Sequence, residues 1–117
     1  WAIFLIFFWP IGDTILAIIR RLSKGRPVSQ PDRLHFHQLV LRACEILILG
    51  RKRRRFANPL ATIIVLPLAV APMFAGVFFS TDRNQALLAV LFFGLFFVLS
   101  YRVGMAIARK RNKWRIF

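Results

Sequence analysis

Three long apolar runs dominate the chain, and short polar or basic segments separate and follow them. The runs occupy residues 1–19, 58–79 and 85–108. As helices rising roughly 1.5 Å per residue, they match the hydrocarbon core of a bilayer, about 30 Å thick. The pattern therefore predicts an all-α, polytopic membrane protein with about three transmembrane helices.

The polar residues are concentrated between and after these runs. We assign residues 20–57 to a basic loop, 80–84 to a turn and 109–117 to a basic tail. In the loop, Ser29 is a candidate N-cap and Asp32 lies in the first turn of a helix extending to about residue 49. This short amphipathic helix lies along the membrane surface or packs on other helices. Its predicted faces are Phe36, Val40, Ala43 and Leu47 on one side, and Gln38, Arg42 and Glu45 on the other.

Composition supports a membrane protein and excludes two other classes. Apolar residues make up 58% of the chain and its mean hydropathy is +0.61, well above an ordinary soluble domain. The aromatic content of 15% excludes a disordered polar tail, because such tails lack aromatic residues.

The distribution of positive charge predicts the orientation of the spans. Of 18 Lys and Arg residues, eleven lie in 20–55 and six lie from Arg102 onward. The turn 80–84 holds only Arg83, balanced by Asp82. Because short loops rich in Lys and Arg stay in the cytoplasm, the basic loop and tail are predicted to be cytoplasmic and the turn external.

The basic run 51–55 contributes to this orientation and is also suited to anionic lipid. It directly precedes a predicted span and has no aromatic residues among its charges, so we expect no nucleic-acid partner. The chain opens at Trp1 inside an apolar run, and Met73 and Met105 are its only methionines. We therefore expect it to be a piece of a longer protein that continues upstream.

The sequence offers little for metal binding. Cys44 is the single cysteine, so no internal disulfide forms, and one cysteine with two histidines is a poor basis for a closed zinc site. Four acidic residues give few oxygen ligands for other metals. We assign no metal ligand within this chain.

Asp13 is the first candidate for chemistry, because a carboxylate inside an apolar run is costly and needs a reason. One reason is local. If the helix breaks after Pro10 and Gly12, Asp13 caps a new helix that starts at Thr14. This structural role and a functional role are compatible.

The second candidate is the segment 31–38, which reads Pro-Asp-Arg-Leu-His-Phe-His-Gln. His35 and His37 would lie on opposite sides of a helix but on the same side of an extended chain. With Arg33, they offer guanidinium and imidazole donors to a phosphate. The alternative is the start of an interfacial helix whose histidines face water and headgroups.

Taken together, these residues resemble a known enzyme family. The chain carries Pro-Ile-Gly-Asp-Thr at 10–14, Arg-Arg at 20–21, Gly25 and Pro-Asp-Arg-Leu-His-Phe-His at 31–37. This series resembles the C-terminal third of the polyprenyl-phosphate N-acetylhexosamine-1-phosphate transferases, which include the undecaprenyl-phosphate GlcNAc-1-phosphate transferases. The motifs cover residues 10–42, and the two final spans and basic tail are similar in arrangement only.

The resemblance implies an activity, a location and site residues. A sugar 1-phosphate, GlcNAc-1-phosphate by this likeness, moves from a UDP-sugar to undecaprenyl phosphate with Mg²⁺ assisting, and UMP is released. The reaction would serve bacterial cell-surface glycopolymer synthesis. The enzyme lies in the bacterial inner membrane. By resemblance, Arg33, His35 and His37 bind the nucleotide sugar and Asp13 is the catalytic acidic residue.

The chain departs from the family in two respects. Gln38 stands where the family commonly has another histidine, so this substrate-binding position donates only a neutral hydrogen bond. The family's aspartate-rich Mg²⁺ motifs have no counterpart here and are expected upstream of Trp1, so the 117 residues alone should be inactive. The alternative is a small non-catalytic membrane protein whose basic loops bind anionic lipid.

Overall fold

The computed structural model describes residues 1–29 and 35–114, without the side chains at 51, 52, 54 and 110–114. Every regular element in these ranges is helical. The prediction of an all-α membrane protein is confirmed. Two helices in these ranges are long and apolar enough to cross a membrane.

The first apolar run forms two consecutive helices, α1 (Ala2–Ile6) and α2 (Phe8–Ser23). The chain leaves helical geometry at Phe7, with φ −100° and ψ 13°. Pro10 explains this position, because its ring clashes with the carbonyl of the residue four places earlier, whereas a proline in the first turn of a helix is tolerated. The predicted break after Pro10 was therefore wrong. Neither helix alone has the length of a span, and the crossing by residues 1–19 stays a prediction.

The loop helix α3 extends over Phe36–Cys44, with His35 as its N-cap. The predicted cap at Ser29 was wrong, and Asp32 lies outside the described residues. After α3, Glu45–Leu49 form a π-helical turn that ends at Gly50, whose φ of +62° favours glycine. A short 3₁₀ segment, Arg51–Phe56, leads to the next helix.

The π-helical turn corrects the predicted faces of the loop helix. Gln38 and Arg42 are exposed and Phe36 is buried, as predicted. Leu47, however, is exposed and Glu45 is buried. A π turn contains more residues per turn than an α-helix, so side chains after Cys44 rotate away from the positions that a 3.6-residue period predicts.

The two long helices are α4 (Ala57–Phe78) and α5 (Arg83–Trp114), and both are candidate membrane spans. Large apolar side chains on their outer faces are exposed, among them Phe74, Phe78 and Phe92. A face of this kind is suited to lipid chains rather than water. These helices correspond closely to the second and third apolar runs.

Small residues let the shorter helices approach the long ones. A Cβ added at Gly76 of α4 would lie 2.7 Å from the carbonyl oxygen of Ala2 in α1. A Cβ added at Gly104 of α5 would lie 3.3 Å from the Cβ of Leu39 in α3. Close packing at small residues is typical of membrane helices. Through the second contact, α3 packs on α5, and it also contacts α4.

Candidate functional site

Asp13 connects α2 to the start of α3. Its Oδ1 accepts a hydrogen bond from the backbone N–H of Phe36 at 3.0 Å, and its Oδ2 lies 2.9 Å from Nδ1 of His35. The predicted cap of a helix starting at Thr14 was wrong, because α2 continues through Asp13 to Ser23. Asp13 instead caps α3, a separate helix, by satisfying one of its unpaired N–H groups.

His35 has a defined orientation because of this contact. Its backbone is extended, with φ −59° and ψ 153°, and its side chain is 46% exposed against 23% for Asp13. An ionised carboxylate only accepts hydrogen bonds, so the proton of this bond is carried by Nδ1. The other ring nitrogen, Nε2, makes no hydrogen bond to the described residues. Nε2 accepts a hydrogen bond when the ring is neutral and donates one only when the ring carries both protons.

His37 lies in the first turn of α3 and has a different partner. Its Nε2 is 3.1 Å from Oδ1 of Asn58, near the start of α4. Because an amide oxygen only accepts, His37 donates from Nε2. The two histidines therefore use opposite ring nitrogens for their internal bonds. An extended backbone is present at His35 but not at His37.

The other two predicted site residues contribute less to the described geometry. Gln38 follows His37 in α3 and its side chain is exposed. Arg33 lies outside the described residues. The binding roles predicted for both residues stay predictions.

An aromatic cluster beneath His35 holds the start of α3 against α2 and α5. The ring of Phe36 stacks on Phe97 at 5.3 Å between centroids and meets Trp9 edge-on at 4.8 Å. Trp9 also meets Phe97 edge-on at 5.0 Å, and Phe8 completes the cluster. Such pairs contribute about 0.5–1.5 kcal/mol each beyond their buried area. Phe36, which directly follows His35, is therefore anchored on both α2 and α5.

The basic end of α2 is attached to α5 and to the loop. Arg20 donates a hydrogen bond to the hydroxyl of Tyr101, and its guanidinium lies over the same ring, 5.7 Å from the centroid. Arg21 donates to the backbone carbonyl of Val28. These contacts fix the C-terminal turn of α2, about two turns beyond Asp13.

The residues described do not fit a magnesium site. Within residues 1–29 and 35–114, no group of three or more His, Cys, Asp or Glu side chains is close enough to hold a metal. Mg²⁺ prefers several oxygen ligands in near-octahedral geometry. Both carboxylate oxygens of Asp13 already accept hydrogen bonds from α3.

Sequence reasoning missed Asn58, Tyr101 and Phe97. Asn58 is an amide beside a proline at the start of an apolar run, which is a weak signal that a polar side chain has a partner there. Tyr101 is the single tyrosine, placed next to Arg102 near the end of a span. Nothing distinguishes Phe97 among 13 phenylalanines, because its contacts depend on the packing of three helices.

Two curated proteins are similar to most of this chain. Both are named undecaprenyl-phosphate alpha-N-acetylglucosaminyl 1-phosphate transferase, one from Pasteurella multocida and one from Haemophilus influenzae. They are 34% and 33% identical over 107 residues, which cover 92% of this chain. The family resemblance is confirmed.

The likeness covers only part of these transferases. The chain spans 25% of the length of each relative. No family model matches the chain. No solved structure matches it either. The names of the two transferases and the two apolar helices together support a membrane protein related to transferases.

Proposed function

We propose that this chain is part of an enzyme that transfers N-acetylglucosamine 1-phosphate from a UDP-sugar to undecaprenyl phosphate. An oxygen of the acceptor phosphate attacks the phosphorus that carries the sugar, and the bond from this phosphorus to the UMP phosphate breaks. UMP leaves. The reaction would take place at the cytoplasmic side of the bacterial inner membrane and supply cell-surface glycopolymer synthesis. The named relatives support the acceptor and the transferred group.

The observation that carries the proposal is the hydrogen bond between Asp13 and His35, 2.9 Å long, at the start of α3. A carboxylate bonded to Nδ1 orients the imidazole. With a proton on each ring nitrogen, Nε2 of His35 donates to a diphosphate oxygen. Asp13 is then a positioning residue, because it acts through His35 rather than on the substrate.

The neighbouring residues complete the proposed donor set. Arg33 binds the diphosphate through a bidentate guanidinium, as the motif implies. His37, oriented by its Nε2–H donation to Asn58, donates from Nδ1 only when its ring carries a second proton. Gln38 is exposed and supplies a neutral amide donor. Positive donors at this place favour the reaction because negative charge develops on the departing UMP phosphate.

Magnesium would neutralise charge on the diphosphate in such a reaction. The described residues of this chain do not fit it. Its ligands are therefore proposed to come from outside these residues. The catalytic work proposed for this chain is binding and orientation of the nucleotide diphosphate.

Transfer assays on membranes test this function. The protein is expressed from its intact gene. UDP-GlcNAc with a labelled sugar and undecaprenyl phosphate are then supplied as substrates. Labelled lipid and UMP should appear in equal amounts. Arg33→Ala should lower both by roughly tenfold or more, the effect of losing one charge-stabilising donor. Arg42→Ala is the matched control, because Arg42 is an exposed arginine of α3 outside the proposed donor set.

Two outcomes would contradict the proposal. One is the absence of labelled lipid and UMP with the unaltered protein, which would favour a non-catalytic membrane protein. The other is an equal effect of Arg33→Ala and Arg42→Ala, which would show that only general positive charge matters.

A further inference from the structure

A groove lies between the basic end of α2 and α5, away from the histidines. Its volume is about 510 Å³. The apolar part of its wall includes Leu16, Ile19 and Met105, and the polar part includes Ser23 and Tyr101. Neither Asp13 nor His35 lines it. The groove is therefore a separate feature from the proposed transfer site.

Three arginines give the groove its charge. Arg20 lines it from α2, and Arg102 and Arg109 line it from α5. Arg102 and Arg109 are exposed, and a spacing of seven residues puts them on one face of the helix, roughly 10 Å apart along its axis. No acidic side chain is among the lining residues described. The groove is suited to an anion with several acceptor oxygens, since each guanidinium donates to phosphate through two N–H groups.

The position of the groove indicates an amphiphilic anion. Ile19 lines the groove and is 56% exposed, so an apolar surface continues from the arginines onto the outside of the helix pair. The groove lies where a candidate span, Arg83–Arg109, reaches its basic end. Basic pockets between membrane helices at such a level bind anionic lipid headgroups.

We propose that this groove binds an anionic phospholipid, with the phosphate on Arg102 and Arg109 and the acyl chains along Ile19 and Leu16. A phospholipid is favoured over the polyprenyl acceptor because the groove shares no lining residue with the His35 and His37 site, where an acceptor phosphate would have to arrive. Binding here joins α2 to α5 at the end where Arg20 contacts Tyr101. Anion binding in the groove is inferred from its own lining, and only the choice of a phospholipid over the acceptor rests on the proposed function.

Native mass spectrometry of the purified protein, expressed as its gene encodes it, tests the groove. The probes are phosphatidylglycerol, phosphatidylcholine with the same acyl chains, and undecaprenyl phosphate. Phosphatidylglycerol should be retained in preference to phosphatidylcholine. Substitution of both Arg102→Gln and Arg109→Gln should weaken its retention at least about tenfold, as expected for losing two basic residues at an anionic headgroup.

The matched control is Arg42→Gln with Arg83→Gln, which removes the same charge from exposed positions in α3 and at the start of α5 that do not line the groove. This pair should leave retention unchanged within about twofold. Arg102→Lys with Arg109→Lys keeps the charge and should preserve most of the binding, which separates a loss of the site from a loss of folding. The proposal is overturned if both glutamine pairs act equally, if neither acts, or if the groove variant lowers retention of undecaprenyl phosphate alone.

Discussion

The carboxylate of Asp13 and the imidazole of His35 are joined by a 2.9 Å contact between positions 22 residues apart. The same carboxylate accepts the N–H of Phe36, so one acidic side chain both caps α3 and orients its N-cap residue. A carboxylate inside an apolar run is stabilised by these two donors. The geometry of the proposed site thus depends on the junction of α2 with α3.

The two histidines should be opposite tautomers. Asp13 requires the proton of His35 on Nδ1, and Asn58 requires that of His37 on Nε2. Nitrogen NMR of the ¹⁵N-histidine protein, at a pH where both rings are neutral, distinguishes these forms. One of the two rings should carry its proton on Nδ1, and the other should carry its proton on Nε2.

Variants assign the two NMR signals. Asp13→Leu removes the acceptor of His35 and should change only the Nδ1–H signal. Asn58→Leu removes the acceptor of His37 and should change only the Nε2–H signal. Two rings with the same tautomer in the unaltered protein would contradict the hydrogen bonds described.

Gly76 should tolerate a methyl group poorly. In Gly76→Ala the new Cβ would meet Ala2 O at 2.7 Å and the Cβ of Leu5 at 3.0 Å, and neither belongs to a flexible side-chain end. Overpacking of this kind costs about 1–3 kcal/mol. Thermal unfolding in detergent should therefore occur at a lower temperature.

Gly94→Ala is the control for this substitution. Gly94 lies inside α5 and a Cβ there meets nothing within 4 Å. Since alanine favours helix by about 1 kcal/mol over glycine, its unfolding temperature should stay the same or rise. A lower unfolding temperature for Gly94→Ala than for Gly76→Ala would contradict the packing of α1 on α4.

Cysteine labelling tests the orientation of the spans. Cys44 is buried, and burial raises the pKa of its thiol, so less reactive thiolate is present near neutral pH and the native cysteine should label slowly. On this background, Asn84→Cys should react with an impermeant maleimide in intact cells. Arg53→Cys should react only after the cells are opened. The reverse pattern would overturn the predicted orientation.

Much of the fold could be predicted because a membrane-spanning helix corresponds to one unbroken run of apolar residues in the sequence. The run 58–79 became α4 with small shifts of its ends, whereas α5 continues past the run 85–108 into the predicted tail, to Trp114. The break in the first run was misplaced because the effect of Pro10 is exerted on the carbonyl four residues before it, not on the residues after it. The face of Leu47 was wrong because a π turn changed the period.

The candidate site was predictable in its residue types but not in its pairing. Asp13 and His35 stood out individually, as an acidic residue in an apolar run and as part of a phosphate-binding pattern. Their hydrogen bond is a contact between two helices and leaves no periodic trace along the chain. Asn58, the partner of His37, was missed for the same reason.

Asp13 is proposed to support transfer by acting through His35, and a double-mutant cycle measures this coupling directly. UMP release is compared for the unaltered protein, Asp13→Asn, His35→Gln and the double variant, with unfolding temperatures measured alongside. Each single change should lower the rate by roughly tenfold or more, and the double variant should be no slower than the slower single variant, because paired groups lose their effect together. Reductions that multiply in the double variant, or single variants at full rate, would contradict the account.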